Sequence, residues 1–148
     1  METVHVRSVE EMATYAAEVA RALPVSNARA TVLTLSGDLG AGKTTFTQAL
    51  ARELGVKDTV TSPTFVVMKR YPLTHAHFKT LVHIDLYRIE DESELVPLRI
   101  PEDLAHPGNL VVIEWPERAR ALIPQDACAV HIETEEDDIR KVTHTMHG

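Results

Sequence analysis

Between an apolar run, TVLTLS, and a helical pattern, FTQALARELG, the chain reads GDLGAGKTT from Gly37 to Thr45. Gly37, Gly42, Lys43 and Thr44 satisfy G-x-x-x-x-G-K-[ST] in full, and the pattern lies between a strand and a helix, as a phosphate loop requires. The chemistry dictates each residue type. Glycine lets the backbone curl so that successive N–H groups point inward at phosphate oxygens. A helix beginning near Lys43 adds about half a unit of positive charge at its start. The Lys43 ammonium can reach the β and γ phosphates, and the Thr44 hydroxyl suits Mg2+, which prefers oxygen ligands. Asp38, Leu39, Gly40, Ala41, Gly42, Lys43, Thr44 and Thr45 are thus the expected cradle of a nucleotide. No Asn-Lys-x-Asp stretch exists to read a guanine base.

The rest of the chain alternates strand and helix patterns. TVHV (3–6) reads as a strand, followed by a helix with its apolar stripe at Val9, Met12, Ala13, Ala16, Val19 and Leu23. Ser8 and Glu11 form a capping box at its start. TVLTL (31–35) is a buried strand, and the second helix runs from about Lys43 to Leu54, stopped by Gly55. TFVVMKRY (64–71), TLVHIDLYR (80–88) and NLVVIEW (109–115) read as strands, and DESELVPLRIPEDLA as two short helical turns. Pro116 is well placed to open a helix over PERARAL. ACAVHIE (127–133) and RKVTHTM (140–146) are terminal strands. The fold expected over residues 1–148 is a single α/β P-loop NTPase domain. Its central sheet is mostly parallel, flanked by helices, with short antiparallel edge strands.

A net charge of −7 gives no general basic field to attract DNA, RNA or an anionic membrane. The lone Cys128 precludes an internal disulfide and fits a reducing compartment; within ACAVHIE it reads as a small buried side chain. No apolar run approaches the roughly 20 residues of a membrane span, and the polar N-terminus is unlike a secretory leader. A cytoplasmic protein is expected.

A metal-binding carboxylate should stand at the end of a parallel strand beside the loop. Asp85, in VHIDLY, and Glu114, closing LVVIEW, both qualify. Either could hold magnesium through water, and Glu114 could also orient or deprotonate an attacking water. The stretch TSPTF (61–65) sets three hydroxyls around a proline, as a loop sensing the γ-phosphate would. His75, His77 and His83 match no structural zinc spacing and read as solvated. Arg118 and Arg120 also read as solvated, and no internal arginine finger is evident.

GDLGAGKTT (37–45), VTSPTF (60–65), HIDLYR (83–88) and IEWPER (113–118) together resemble one family over essentially the whole chain: the bacterial TsaE (YjeE) ATPases of tRNA threonylcarbamoyladenosine synthesis. The resemblance implies ATP and Mg2+ as ligands. It implies TsaB and TsaD as partners, which place a threonylcarbamoyl group on adenosine 37 of tRNAs reading codons that begin with A. Contact with tRNA would come indirectly, through that complex. It carries Lys43 to phosphate binding, Thr44 and Glu114 to magnesium, and Thr64 with Ser62 to a switch loop. Asp85 would help organise the metal site, with Trp115 beside it. Glu11 and Arg140 would lie near the nucleotide. Within LVPLRIPEDL, Arg99 stands where relatives often carry glycine, so the turn there is expected to differ.

Two other readings share the loop. A small-molecule kinase would need an acceptor pocket and an arginine-bearing lid, neither of which is evident in the sequence. A regulatory module would bind nucleotide without needing hydrolysis.

Overall fold

The computed structural model describes residues 2–38, 40–61 and 67–146. Among these residues seven strands form one sheet: β1 (Glu2–Val6), β2 (Thr31–Gly37), β3 (Met68–Pro72), β4 (Thr80–Asp85), β5 (Asn109–Glu114), β6 (Cys128–Thr134) and β7 (Arg140–Thr145). Their spatial order is β1-β7-β6-β2-β5-β4-β3. The centre, β6-β2-β5-β4, is parallel, while β1, β7 and β3 add antiparallel to its edges. The expected mixed sheet is therefore present.

Burial explains the arrangement. β2 and β5 are apolar on both faces because both faces are covered. One face packs against α1 (Val9–Ala22) and α2 (Lys43–Glu53) through Leu33, Leu35, Leu110 and Val112. The other face, through Val32, Val111 and Ile113, packs against Leu95, Ile100 and Ala119. These come from the 3-10 segment Glu92–Leu98, from α3 (Ile100–Ala105) and from the 3-10 segment Pro116–Leu122. α1 buries Met12, Tyr15, Ala16, Val19 and Ala20, a helical stripe, and Tyr15 meets Phe46 of α2 at 6.0 Å between ring centroids. Phe46 is fully buried, and truncating such a side chain to alanine costs about 3–5 kcal/mol.

Local chemistry ends the elements. Ser8 Oγ accepts the Glu11 N–H at 3.1 Å, but the Glu11 carboxylate accepts from Arg7 N at 3.0 Å, one residue earlier than a capping box specifies. β4 stops at Asp85 rather than continuing to 88, because the Asp85 carboxylate accepts the Tyr87 N–H at 3.0 Å and turns the chain. The helix expected over PERARAL is a 3-10 segment broken at the buried Ala119, whose φ is −151°. The strand expected at 64–71 begins at Met68: residues 64–66 lie outside the described ones, and Val67, at φ 68°, is not in strand conformation. Arg99 joins the Glu92–Leu98 segment to α3 in the left-handed region, at φ 54°, which is the conformation a glycine would supply without strain.

Candidate functional site

β2 delivers the chain to the phosphate loop at the carboxyl edge of the parallel strands, where ligands of open α/β sheets bind. Gly37 is fixed by close approach. A Cβ on it would meet the Ile132 carbonyl oxygen of β6 at 2.2 Å, and its φ is +138°. Gly42, at φ +111°, enters α2 with no side chain in the way, and the Phe46 N–H closes the first helical bond on its carbonyl at 2.9 Å.

Lys43 is buried and donates from Nζ to the carbonyls of Gly37 at 2.6 Å and Asp38 at 2.8 Å. Burial holds its pKa below the ordinary 10.5, while Glu114, Asp85, Glu117 and Asp38 pull the other way. Its ammonium stands 4.4 Å from the centroid of the Trp115 ring. Trp115 reaches that position from a left-handed backbone, φ 59°, directly after Glu114, and its ring leans on Tyr87 at 5.1 Å. A non-glycine residue held this way at a cleft is strain that the surrounding packing sustains. Val67, β-branched and at φ 68°, is a second such point, and its carbonyl accepts the Asp85 N–H at 2.8 Å.

The carboxylates arrive by register. β4 and β5 run parallel with Asp85 opposite Glu114, so both side chains leave the sheet on the α2 side. Gly42, Lys43, Thr44, Asp85, Glu114 and Trp115 line one cavity of about 410 Å³. A hydroxyl, two carboxylates and an ammonium in one cleft suit a phosphate–magnesium pair: hard oxygens for the metal, a cation and loop amides for the phosphates. Arg140 of β7 reaches the loop from outside, donating from Nε to the Ala41 carbonyl at 3.0 Å and from Nη2 to that of Gly40 at 3.5 Å. With Ser8, Met12, Ala41, Gly42 and Thr45 it lines a second cavity of about 240 Å³ against the loop. Glu11 contributes to α1's start beside it, its carboxylate engaged by Arg7. Leu39, Ser62 and Thr64 lie outside the described residues.

A family model described as threonylcarbamoyl adenosine biosynthesis protein TsaE matches residues 6–142. The chain belongs to the TsaE family. A TsaE from Bacillus subtilis (strain 168) is 41% identical over 117 residues, spanning 79% of this chain and 70% of the relative. One from Rickettsia bellii is 34% identical over 134 residues, spanning 90% and 87%. The crystal structure of Bacillus subtilis YdiB aligns with a TM-score of 0.74 at 30% identity, covering 99% of this chain and 86% of that one.

Two further residues stand at this TsaE-family site. His83 is not solvated: it is fully buried in β4, with Nε2 2.5 Å from Glu114 Oε2. His75, by contrast, caps a turn, its Nδ1 accepting from His77 N at 3.1 Å and Phe78 N at 3.3 Å. Arg88, the last residue of HIDLYR, lines the same cavity as Lys43 and Glu114, although no internal arginine finger is evident in the sequence. The signal for both was the i, i+2 spacing around Asp85 and the turn after it.

Proposed function

We propose that this chain is a Mg-dependent ATPase acting in the formation of threonylcarbamoyladenosine in tRNA, the process for which its relatives are named. The observation that carries the reading is the meeting of Lys43, Thr44, Asp85 and Glu114 in one cleft of a TsaE-family chain. Lys43 leaves its carbonyl partners to bind the β and γ phosphates, while the loop amides from Asp38 to Thr45 hold the remaining phosphate oxygens. Thr44, Asp85 and Glu114 would hold Mg2+, which when bound neutralises charge on the β and γ phosphates. Glu114 orients a water for in-line attack on the γ-phosphorus. The new P–O bond forms as the bond to the β-bridging oxygen breaks, ADP leaves, and the water's proton passes to carboxylate or phosphate. The adenosine end lies over the cavity between Met12, Thr45 and Arg140. Ser62 and Thr64 act as a loop ordered by the γ-phosphate and released by hydrolysis, and TsaB with TsaD read the difference.

The test is complementation. In cells depleted of their own protein, this chain restores threonylcarbamoyladenosine in bulk tRNA, and Glu114→Gln does not. Full restoration by Glu114→Gln would show that hydrolysis is dispensable and favour a nucleotide-binding regulatory module.

A further inference from the structure

We infer that His83 is a positioning residue, whose Nε2–H fixes one oxygen of the Glu114 carboxylate so that the other faces the phosphate cleft. The inference rests on the proposed role of Glu114 toward water and names what holds that carboxylate in place.

Register creates the pair. His83 lies opposite Val112 and Asp85 opposite Glu114 in the parallel β4–β5 ladder. Alternation puts His83, Asp85 and Glu114 on the same face, and the diagonal from His83 to Glu114 is within reach of two long side chains. His83 is 0% exposed and Glu114 2%, with 2.5 Å between Nε2 and Oε2. A carboxylate taken out of water at this depth needs a donor, or its burial costs several kcal/mol.

The hydrogen can be assigned from the network. Among the described residues His83 Nδ1 has no hydrogen-bond partner. A hydrogen on Nδ1 would leave a buried donor orphaned and withhold a donor from Glu114. A hydrogen on Nε2 leaves only an unused lone pair, the cheaper defect. The bond thus runs from Nε2–H to Oε2. Glutamate has three side-chain torsions to order, and the histidine, itself locked between strands, removes that freedom before substrate arrives. A residue present only to fill space would be apolar here, as Leu81 and Val112 on the same face are.

The experiment compares wild type, His83→Phe, His83→Gln, Glu114→Gln and the double variant H83F/E114Q, all with TsaB and TsaD present. ATP affinity is measured by calorimetry and turnover at steady state. H83F is expected to lower kcat about 100-fold, the usual cost of misplacing a reacting group by about 1 Å, with Kd for ATP within about threefold of wild type. H83Q keeps an N–H able to reach the same oxygen and returns to within about tenfold of wild type. The double variant turns over no more slowly than E114Q alone, because both changes remove one device. Nitrogen NMR of the labelled wild-type imidazole, which does not depend on any variant folding, is expected to find hydrogen on Nε2. Wild-type kcat in H83F, additive losses in the double variant, or no hydrogen on Nε2 would each overturn the inference. Wild-type turnover in E114Q sinks the reading of Glu114, and that of His83 with it. An inactive E114Q beside a fully active H83F sinks the role of His83 alone.

Discussion

The Lys43 ammonium rests 4.4 Å from the centre of the Trp115 ring while donating to the carbonyls of Gly37 and Asp38. Phosphate oxygens carry full charge and outcompete neutral carbonyls, so a bound triphosphate draws the ammonium off the indole. Trp115 is the chain's one tryptophan, and its emission should therefore change saturably as ATP is added. Lys43→Ala should weaken ATP binding by at least about tenfold and lose the optical response. A response of full size in that variant would mean that the ring reports something other than its cation.

Arg140 ties β7 to the carbonyl side of the phosphate loop through Ala41 and Gly40. Bonds from a charged donor are worth about 1.5–3 kcal/mol each, so Arg140→Met is expected to loosen the loop and weaken ATP binding about tenfold. Arg140→Lys should recover only part, because an ammonium lacks the planar fork. Calorimetry gives the affinities. Hydrogen exchange should show faster amides at Gly40 to Gly42, and unchanged exchange in the methionine variant would show that the loop stands without this brace.

Tyr15 and His144 join α1 to β7, with the phenol oxygen 2.6 Å from Nδ1. Burial, then Glu2 and Glu18, raise the Tyr15 pKa well above its ordinary 10.0. The unfolded chain therefore gives up this proton at a lower pH than the folded protein does. The contribution is complete below about pH 10 and falls as pH rises beyond it. Tyr15→Phe should cost about 1 kcal/mol at neutral pH through the lost hydrogen bond. It should also remove that alkaline decline, as read from denaturant midpoints across the pH range. A decline of the same slope in the phenylalanine variant would assign it to other groups.

Arg99 holds a left-handed backbone, φ 54°, that costs an L-residue about 1–2 kcal/mol. Glycine removes that cost but returns about 0.5–1 kcal/mol as entropy of the unfolded chain. It also loses the exposed Arg99–Glu102 pair, worth little in water. Arg99→Gly should raise stability by about 0.5 kcal/mol, or about 1–2 °C in Tm for a chain of this size. A fall in Tm would show that the ion pair outweighs the strain.

What was legible in the sequence was what local chemistry encodes. The phosphate loop announces itself because its glycines, lysine and threonine must stand at fixed short spacings to do their work. The apolar runs of β2 and β5 announce burial on both faces. That Asp85 and Glu114 meet beside the loop is legible because both close apolar strand runs, which the parallel register sets side by side. The pairing of His83 with Glu114 was not legible, since 31 residues separate them and only the β4–β5 register brings them together. The 3-10 geometry after Pro116 was hidden for a similar reason: the left-handed Trp115 and the buried Ala119 answer to the cleft and the core, not to helix propensity.

Among the described residues β1 pairs only with β7, the last of the seven strands in chain order, and the brace on the phosphate loop also comes from β7. A ribosome that has released the chain only through β6 exposes the complete phosphate-loop sequence and both acidic strand ends. Yet the loop carbonyls then lack their guanidinium and the first strand lacks the partner it pairs with. The loop is thus braced by a side chain 99 residues further along the chain than the carbonyl it holds, so its geometry depends on the far end of the sheet as well as on its own glycines.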